Sequence, residues 1–397
     1  MNVKIEKADI FGQINAIPSK SFAHRILIAN FLSGKDVDVD CGLFTSKDIE
    51  DTKNCLLALK NGKNKLDCGE SGSTLRFLLP LCAVLGGEYE FVGHGRLMER
   101  PNDELFGALS QHGVTAEQTD KITLKGKLTA GEYFIRGDIS SQYVTGLLMA
   151  LPLLDGDSKI ILTSPLASAP YVDITKKVLK DFGIEIKCEE NCFHIKGGQK
   201  YCGNSKVEGD WSNMAFFLSL GAISGQVIVK GLNKESVQGD KAILDILELT
   251  GADISFEDGD IIVKKAPLKA FKFDAKDCPD LVPILAVLGA FADGKTVIEN
   301  VERLKIKESD RIKSTIDTLK AFNISAWSDG HKLEVFGGKT ASGKAVSCND
   351  HRIAMAAAVL ATGTDGQSEI IDAQAVNKSY PTFYQDLISV GGKVSEI

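Results

Sequence analysis

The chain has 397 residues, 44% hydrophobic and 25% charged, the balance of a water-soluble globular protein and too long for one ordinary core, so two domains are expected. A formal net charge of −7 excludes nucleic-acid binding through bulk charge, and apolar runs of about 10 to 14 residues are too short to span a bilayer. Nine scattered cysteines and a polar start, MNVKIEKADIFG, point to reduced thiols and a cytoplasmic protein without an export signal.

In chain order the first predicted segment is a strand pattern, VKIEKADIFGQINA. It is followed by a helix headed by Ser21-Phe22-Ala23-His24-Arg25 and continued by ILIANFL. That head is the first of six. The others are Gly72-Ser73-Thr74-Leu75-Arg76 before FLLPLCAVL, Ser140-Ser141-Gln142 before YVTGLLMALPLL, Ser212-Asn213 before MAFFLSLGAI, Asp280 before LVPILAVLGAF, and Asp350-His351-Arg352 before IAMAAAVLAT. After a first step of about 51 residues they recur about every 70. A short strand pattern follows each apolar helix: DVDVDCG, YEFVGHG, SKIILTS, QVIVKG, KTVIENV and SEIIDA. Then come an amphipathic helix, a turn and a hairpin. Gly113, Gly183 and Gly251 stand where a helix needs a left-handed C-terminal residue, with Asn323 as the substitute in another copy. The repeat therefore reads helix, strand, helix, strand, strand, and six repeats divide into two domains of three. The crossovers fall near Ile17–Lys20 and Val207–Asp210, where VEGDWSN breaks the pattern. Residues 1–18 plus 208–397 would form a discontinuous C-terminal domain, and 19–207 an inserted N-terminal one.

A helix head exposes unpaired N–H groups and partial positive charge, so it attracts anions and disfavours basic side chains unless an anion is bound. Yet Lys20 with Arg25, and Arg352, stand at such heads, and Arg96 with Arg100 and Lys305, Lys307 with Arg311 are further basic clusters. In an acidic chain these point to a small, highly anionic ligand. Blander readings exist for each: Lys307-Glu308-Ser309-Asp310-Arg311 as a salt-bridged surface helix, Asp350 and Ser140 as simple N-caps. Cys188, Cys192, His194 and Cys202 lack the paired spacing of a zinc knuckle, so no metal is expected. No phosphate-binding G-x-x-x-x-G-K-[ST] loop, no G-x-G-x-x-G after a strand and no G-x-S-x-G elbow is present, and no cofactor is expected.

Family motifs follow one another along nearly the whole chain: SKSFAHR at 19–25, SKDIEDT at 46–52, GESGSTLR at 69–76, GRLMERP at 95–101, SSQY at 140–143, SAPYVDIT at 168–175, CPDLVP at 278–283, RLKIKESDR at 303–311, DHRIAM at 350–355 and NKSYP at 377–381. With them the chain resembles the 5-enolpyruvylshikimate-3-phosphate synthase family. The resemblance implies an α/β (α+β) fold, a two-domain inverse α/β barrel-like arrangement of six βαβαββ repeats, three per domain, with the active site in the interdomain cleft. It implies a monomeric cytoplasmic transferase of the shikimate pathway, serving chorismate and aromatic amino-acid biosynthesis. Such an enzyme moves the enolpyruvyl group of phosphoenolpyruvate to the 5-hydroxyl of shikimate 3-phosphate and releases phosphate, with no cofactor and no metal. Nucleic acid and membrane are not partners.

Position by position, the resemblance places the phosphate of shikimate 3-phosphate on Ser140, Ser141 and Ser168, with Lys20 nearby. Ser21, Arg25, Gln142, Asp280 and Lys307 would meet its hydroxyls and carboxylate. Phosphoenolpyruvate would be held by Lys20, Gly72, Arg96, Gln142, Arg311, Arg352 and Lys378. Asp280, Glu308 and Lys20 are the catalytic candidates, the two carboxylates as acid and base. Glu70 stands where many family members carry Asn and Phe77 where proline is frequent, which bears on glyphosate sensitivity. The related UDP-N-acetylglucosamine enolpyruvyl transferases carry a cysteine before the Arg-Pro pair, and Gly93–Pro101 has none. RNA 3′-phosphate cyclases share the repeat architecture, but the acidic charge does not suit a polynucleotide.

Overall fold

A helix that is apolar on all sides has to be surrounded by protein. In the computed structural model, which describes residues 1–39 and 46–397, this holds for the six head-bearing helices. They are α1 (Lys20–Leu32), α3 (Gly72–Leu85), α5 (Ser141–Ala150), α7 (Trp211–Ser224), α9 (Val282–Phe291) and α11 (His351–Gly363). Between them lie α2 (Lys47–Lys60), α4 (Asp103–Ser110), α6 (Ala169–Asp181), α8 (Ile243–Thr250), α10 (Arg311–Ala321) and α12 (Phe383–Ser389), which keep a polar face.

The chain divides into two compact units, Met1–Ser19 with Glu208–Ile397 and Lys20–Val207. The discontinuous unit holds three four-stranded sheets. In each, the strands before and after the apolar helix run parallel and the following pair is antiparallel. One sheet joins Ile10–Asn15 in parallel to Gly225–Lys230, with Asp260–Lys264 and Asp253–Glu257 beyond. The second joins Lys272–Asp274 to Lys295–Glu299, then Lys332–Phe336 and Ser325–Ser328. In the third, Lys344–Val346 lies beside Gln367–Ile371, followed by Val3–Glu6 from the start of the chain and, at the far edge, Lys393–Glu396. Strand pairing thus ties residues 1–19 to 208–397. The crossovers are stitched together within this unit: Pro18 bridges Gly209, Ser19 N donates to Glu208 O at 2.8 Å, and Gln238 Nε2 donates to Gly209 O at 2.8 Å.

The inserted unit holds two such sheets, Lys65–Asp67, Gly87–Val92, Lys121–Gly126, Val114–Gln118 and Glu132–Arg136, Ser158–Ser164, Cys192–Ile195, Ile186–Glu189. Its strands alternate buried and exposed residues, as with Tyr133 and Ile135 inward, so one face covers the helices and the other meets solvent. Among the described residues its remaining repeat contributes α1 and α2. The strand predicted at DVDVDCG is not found over residues 36–39, and 40–42 lie outside the described residues. Side chains fix that segment instead: Asn30 Nδ2 donates to Asp38 O at 2.7 Å, and Lys53 pairs with the Asp38 carboxylate at 3.0 Å. The expected left-handed helix ends are present, with φ of 89°, 74°, 82° and 63° at Gly113, Gly183, Gly251 and Asn323.

Helices α3 and α5 touch at a point set by two residues. Pro80 has no N–H, so the Arg76 carbonyl one turn earlier lacks its helical donor. Gly146 of α5 lies against that carbonyl, where a Cβ would come within 2.4 Å of Arg76 O. Gly146→Ala should therefore lower unfolding free energy by about 1–3 kcal/mol through overpacking. Gly107→Ala in α4, with open space around it, should be neutral or stabilising by up to about 1 kcal/mol. Denaturant titration of both variants checks this, and a stable Gly146→Ala would contradict the packing account.

Candidate active site

In the discontinuous unit the predicted residues of three helix heads converge on one guanidinium. Arg311, the first residue of α10, is 1% exposed. Its Nη1 donates to Asp280 Oδ1 at 2.8 Å, its Nη2 to Glu308 Oε2 at 2.6 Å and its Nε to Asp350 Oδ2 at 2.8 Å. A planar fork with five donors suits such a role, where lysine would present a single point charge. Asp350 also caps α11, accepting from Arg352 N at 2.9 Å, and takes a bond from Ser309 Oγ at 3.0 Å. The run from Lys307 to Arg311 is thus turned inward rather than lying on a solvated surface helix.

Asp280 sits on the turn before α9, with Lys307 Nζ at 3.4 Å and Arg352 Nη2 at 3.5 Å from its oxygens. Burial alone would raise its pKa, but Lys307, Arg311 and Arg352 outweigh burial and hold it well below the usual carboxylate range. Burial pulls Lys307 down, against the attraction of Asp280. Arg311 is driven further up by its carboxylates despite burial. Arg352 Nη1 donates to Ser212 O at 2.9 Å and to Asn213 Oδ1 at 3.4 Å, and Asn213 Oδ1 also accepts from Ser379 Oγ at 3.3 Å. Lys378 lies beside this group, its Nζ bonded to Asn349 O at 2.6 Å.

One member was not found in the sequence. Asp240, on the turn Gly239–Ala242, is 3% exposed and accepts from Ser212 Oγ, while its Oδ1 has no partner among the described residues. Burial, and then the negative charge of Asp280, push its pKa up to about 7. A single aspartate in a turn carries no periodic signal, so only the fold shows that it is buried beside charged groups.

The inserted unit carries the other predicted residues. Lys20 opens α1 and pairs with Asp48 of α2 at 2.7 Å. Arg25 is buried, and four of its donors are engaged: Nε with Thr175 Oγ1 at 2.8 Å, Nη1 with Ser21 O at 2.6 Å, and Nη2 with Tyr171 O at 2.9 Å and Thr145 Oγ1 at 3.3 Å. Burial lowers its pKa to about 9. Ser140 caps α5, accepting from Gln142 N at 3.3 Å, and Ser141 is that helix's first residue. Gln142 donates to Ser73 Oγ at 2.9 Å and accepts from Arg76 Nη1 at 2.8 Å. Ser168, at the head of α6, is buried in the left-handed region with φ 57°.

Two placements differ from the sequence reading. Arg96 is exposed, its Nε paired with Glu99 at 3.3 Å. Arg100, three residues before Asp103 where α4 begins, is the arginine brought to Gly72: a Cβ on Gly72 would lie 2.7 Å from Arg100 Nη1. Gly72 has no left-handed backbone, so what its missing side chain provides is room for that guanidinium. Both arginines belong to GRLMERP, and the sequence offered no means of choosing between them. The two departures from the family pattern also have places. Glu70 points at Gly95, where a Cβ would fall 2.5 Å from its Oε2, and Phe77 lies under the Arg25 guanidinium, 5.0 Å from ring centre to Cζ.

A family model described as EPSP synthase (3-phosphoshikimate 1-carboxyvinyltransferase) matches residues 5–387. A 3-phosphoshikimate 1-carboxyvinyltransferase of Clostridium novyi is 40% identical, over 100% of this chain and 98% of its own. One from Brachyspira hyodysenteriae is 39% identical, over 99% of this chain and 100% of its own. Among solved structures, EPSP synthase from Acinetobacter baumannii matches with a TM-score of 0.80 at 25% identity, covering 100% of both chains. The enolpyruvyl transferase NikO from Streptomyces tendae, 16% identical over 99% of this chain and 98% of its own, shares the fold with a TM-score of 0.78. Since the family model runs through both units and these relatives align along almost their full lengths, the chain belongs to the EPSP synthase (3-phosphoshikimate 1-carboxyvinyltransferase) family.

Proposed function

We propose that this enzyme transfers the enolpyruvyl group of phosphoenolpyruvate to the 5-hydroxyl of shikimate 3-phosphate through the residues just described. The observation that carries the assignment of residues is the meeting of Asp280, Glu308 and Asp350 on the buried Arg311 guanidinium, with Lys307 and Arg352 beside it. A purely structural ion-pair network has little use for that many charges in one buried place, because desolvation offsets most of the gain. A cluster that must receive an anionic substrate and move protons does have such a use.

In the reaction the 5-hydroxyl oxygen bonds to C2 of phosphoenolpyruvate, the hydroxyl proton leaves and C3 gains a proton. The adduct then gives up a proton at C3 and phosphate departs, regenerating the double bond. Asp280, held ionised by three cations, is a weak base; we assign it to accepting the hydrogen bond of the substrate hydroxyl and fixing its direction. Glu308 then carries the proton. Lys307, Arg311, Arg352 and Lys378 offset the anionic groups of the ligands. From the inserted unit, Ser140, Ser141, Ser168 and Lys20 would take the phosphate of shikimate 3-phosphate, and Ser21, Arg25 and Gln142 the rest of it. Arg25 already spends four donors within the protein, so its part is chiefly to brace the heads of α1, α5 and α6. Gly72 and Gln142 would approach phosphoenolpyruvate, with Arg100 in the place first given to Arg96.

The protein should release phosphate from phosphoenolpyruvate when shikimate 3-phosphate is supplied and not when UDP-N-acetylglucosamine is. Under those conditions Arg100→Ala should raise the KM for phosphoenolpyruvate about tenfold or more, the worth of a charged hydrogen bond, and Arg96→Ala less than about twofold. Turnover with the nucleotide sugar would overturn the acceptor, and the reverse order of the two variants would restore Arg96.

Asp240 makes the stability of the protein depend on pH. Its raised pKa means that the folded state keeps a proton which the unfolded state loses between about pH 4 and the folded value of about 7. Stability from this group is complete below that window and is lost as pH rises through it. Asn at this position has no proton to lose. Asp240→Asn should therefore gain about 1–3 kcal/mol relative to the parent between pH ~5 and pH ~8 in denaturant titrations. A difference independent of pH would show that Asp240 is charged throughout.

A further inference from the structure

Behind the Gly72 head lies a row of buried polar groups that the proposed reaction does not use. His24 of α1, Thr52 of α2, Ser71 and Thr74 are each no more than 1% exposed. His24 Nδ1 lies 2.7 Å from Thr52 Oγ1, Thr52 Oγ1 lies 2.6 Å from Thr74 Oγ1, and Thr74 Oγ1 donates to Ser71 Oγ at 2.7 Å. Ser71 Oγ also accepts from Thr74 N at 3.2 Å as the cap of α3. The row joins three of the motifs, SKSFAHR, SKDIEDT and GESGSTLR.

Counting protons fixes its direction, because a hydroxyl has one to give. Thr74 spends its proton on Ser71. The 2.6 Å contact between Thr52 and Thr74 then needs the proton of Thr52, since two oxygens that close without one would repel. The Asp48 carbonyl, 3.3 Å from Thr52 Oγ1, is the weaker competitor. With the Thr52 proton committed, His24 must be the donor in its own contact, so Nδ1 bears the hydrogen. That leaves Nε2 as a bare lone pair, and Nε2 is the ring nitrogen without a partner among the described residues. Phe77 meets the ring edge-on, with centroids 6.4 Å apart. Burial, with Lys20 and Arg25 nearby, keeps the imidazole neutral. At the other end, Ser71 already accepts two bonds, so its own O–H remains to donate.

We propose that His24, Thr52, Thr74 and Ser71 form a one-way hydrogen-bond relay that positions the α3 head, with Ser71 O–H as a further donor to the anionic group of phosphoenolpyruvate bound at Gly72. The last step rests on the function proposed above; the direction of the relay does not. These are positioning residues: three lie behind the head and act through Ser71.

Nitrogen-15 NMR of the unliganded protein reads the direction, with His24→Asn assigning the signal. His24 should show a protonated Nδ1 and an unprotonated Nε2, the reverse of the tautomer that dominates in water. Thr52→Val should abolish that preference and Thr52→Ser restore it. In steady-state kinetics Thr52→Val should raise the KM for phosphoenolpyruvate about fivefold, the loss of roughly one orienting hydrogen bond, with the KM for shikimate 3-phosphate and kcat changed less than about twofold. Thr52→Ser should return it. Should Thr52→Val fail to fold, Thr74→Val cuts the row one step on and is read in the same way. An Nε2–H tautomer in the parent protein would overturn the relay. The expected tautomer with an unchanged phosphoenolpyruvate KM would overturn its positioning role. A parent protein that binds neither substrate would overturn the functional reading, and the NMR result would then decide the relay alone.

Discussion

Everything proposed for this site depends on the burial of Arg311 among three carboxylates. An uncompensated guanidinium at 1% exposure would cost several kcal/mol, and so would any one of the carboxylates left alone. Together they are tolerable because the planar fork meets Asp280, Glu308 and Asp350 at once. The same contacts dictate the order of acidities. Asp280, facing Lys307, Arg311 and Arg352, stays charged, while Asp240, facing Asp280 with little to offset it, keeps its proton into the neutral range. With Asp240 neutral, Asp280, Glu308 and Asp350 are set against Lys307, Arg311, Arg352 and the neighbouring Lys378, which leaves positive charge for an arriving anion.

The fold supplies that arrangement by placing helices inside and sheets outside within each unit. A buried apolar helix can expose polar groups only at its ends, so heads are where chemistry can be placed. This explains why polar and charged residues recur before every apolar run. It also explains why Asp350 can cap α11 and bind Arg311 with the same carboxylate.

What the sequence revealed and what it concealed divide along the same line. Local rules showed the apolar helices, the parallel-then-antiparallel strand pattern and the left-handed ends at Gly113, Gly183, Gly251 and Asn323, because each is decided by neighbours in the chain. Residues 36–39 carry a strand's alternation, yet side-chain bonds to α1 and α2 hold them instead. Arg96 and Arg100 are equal in the sequence; only the space above Gly72 distinguishes them. Asp240, the Thr52 relay and the burial of Ser309 and Arg311 all arise from contacts between distant segments, which no spacing announces.

The measurement that bears most directly on the Arg311 cluster is the turnover of Glu308→Gln. Glutamine keeps the shape and a bond to Arg311 but cannot carry a proton. If the cluster handles the protons of the reaction, kcat should fall by about 10²–10⁴-fold while shikimate 3-phosphate binding, measured by calorimetry, stays within about threefold. A variant whose kcat is within about threefold of the parent, far below the usual contribution of a general acid or base, would remove Glu308 from the chemistry and leave the cluster a structural one.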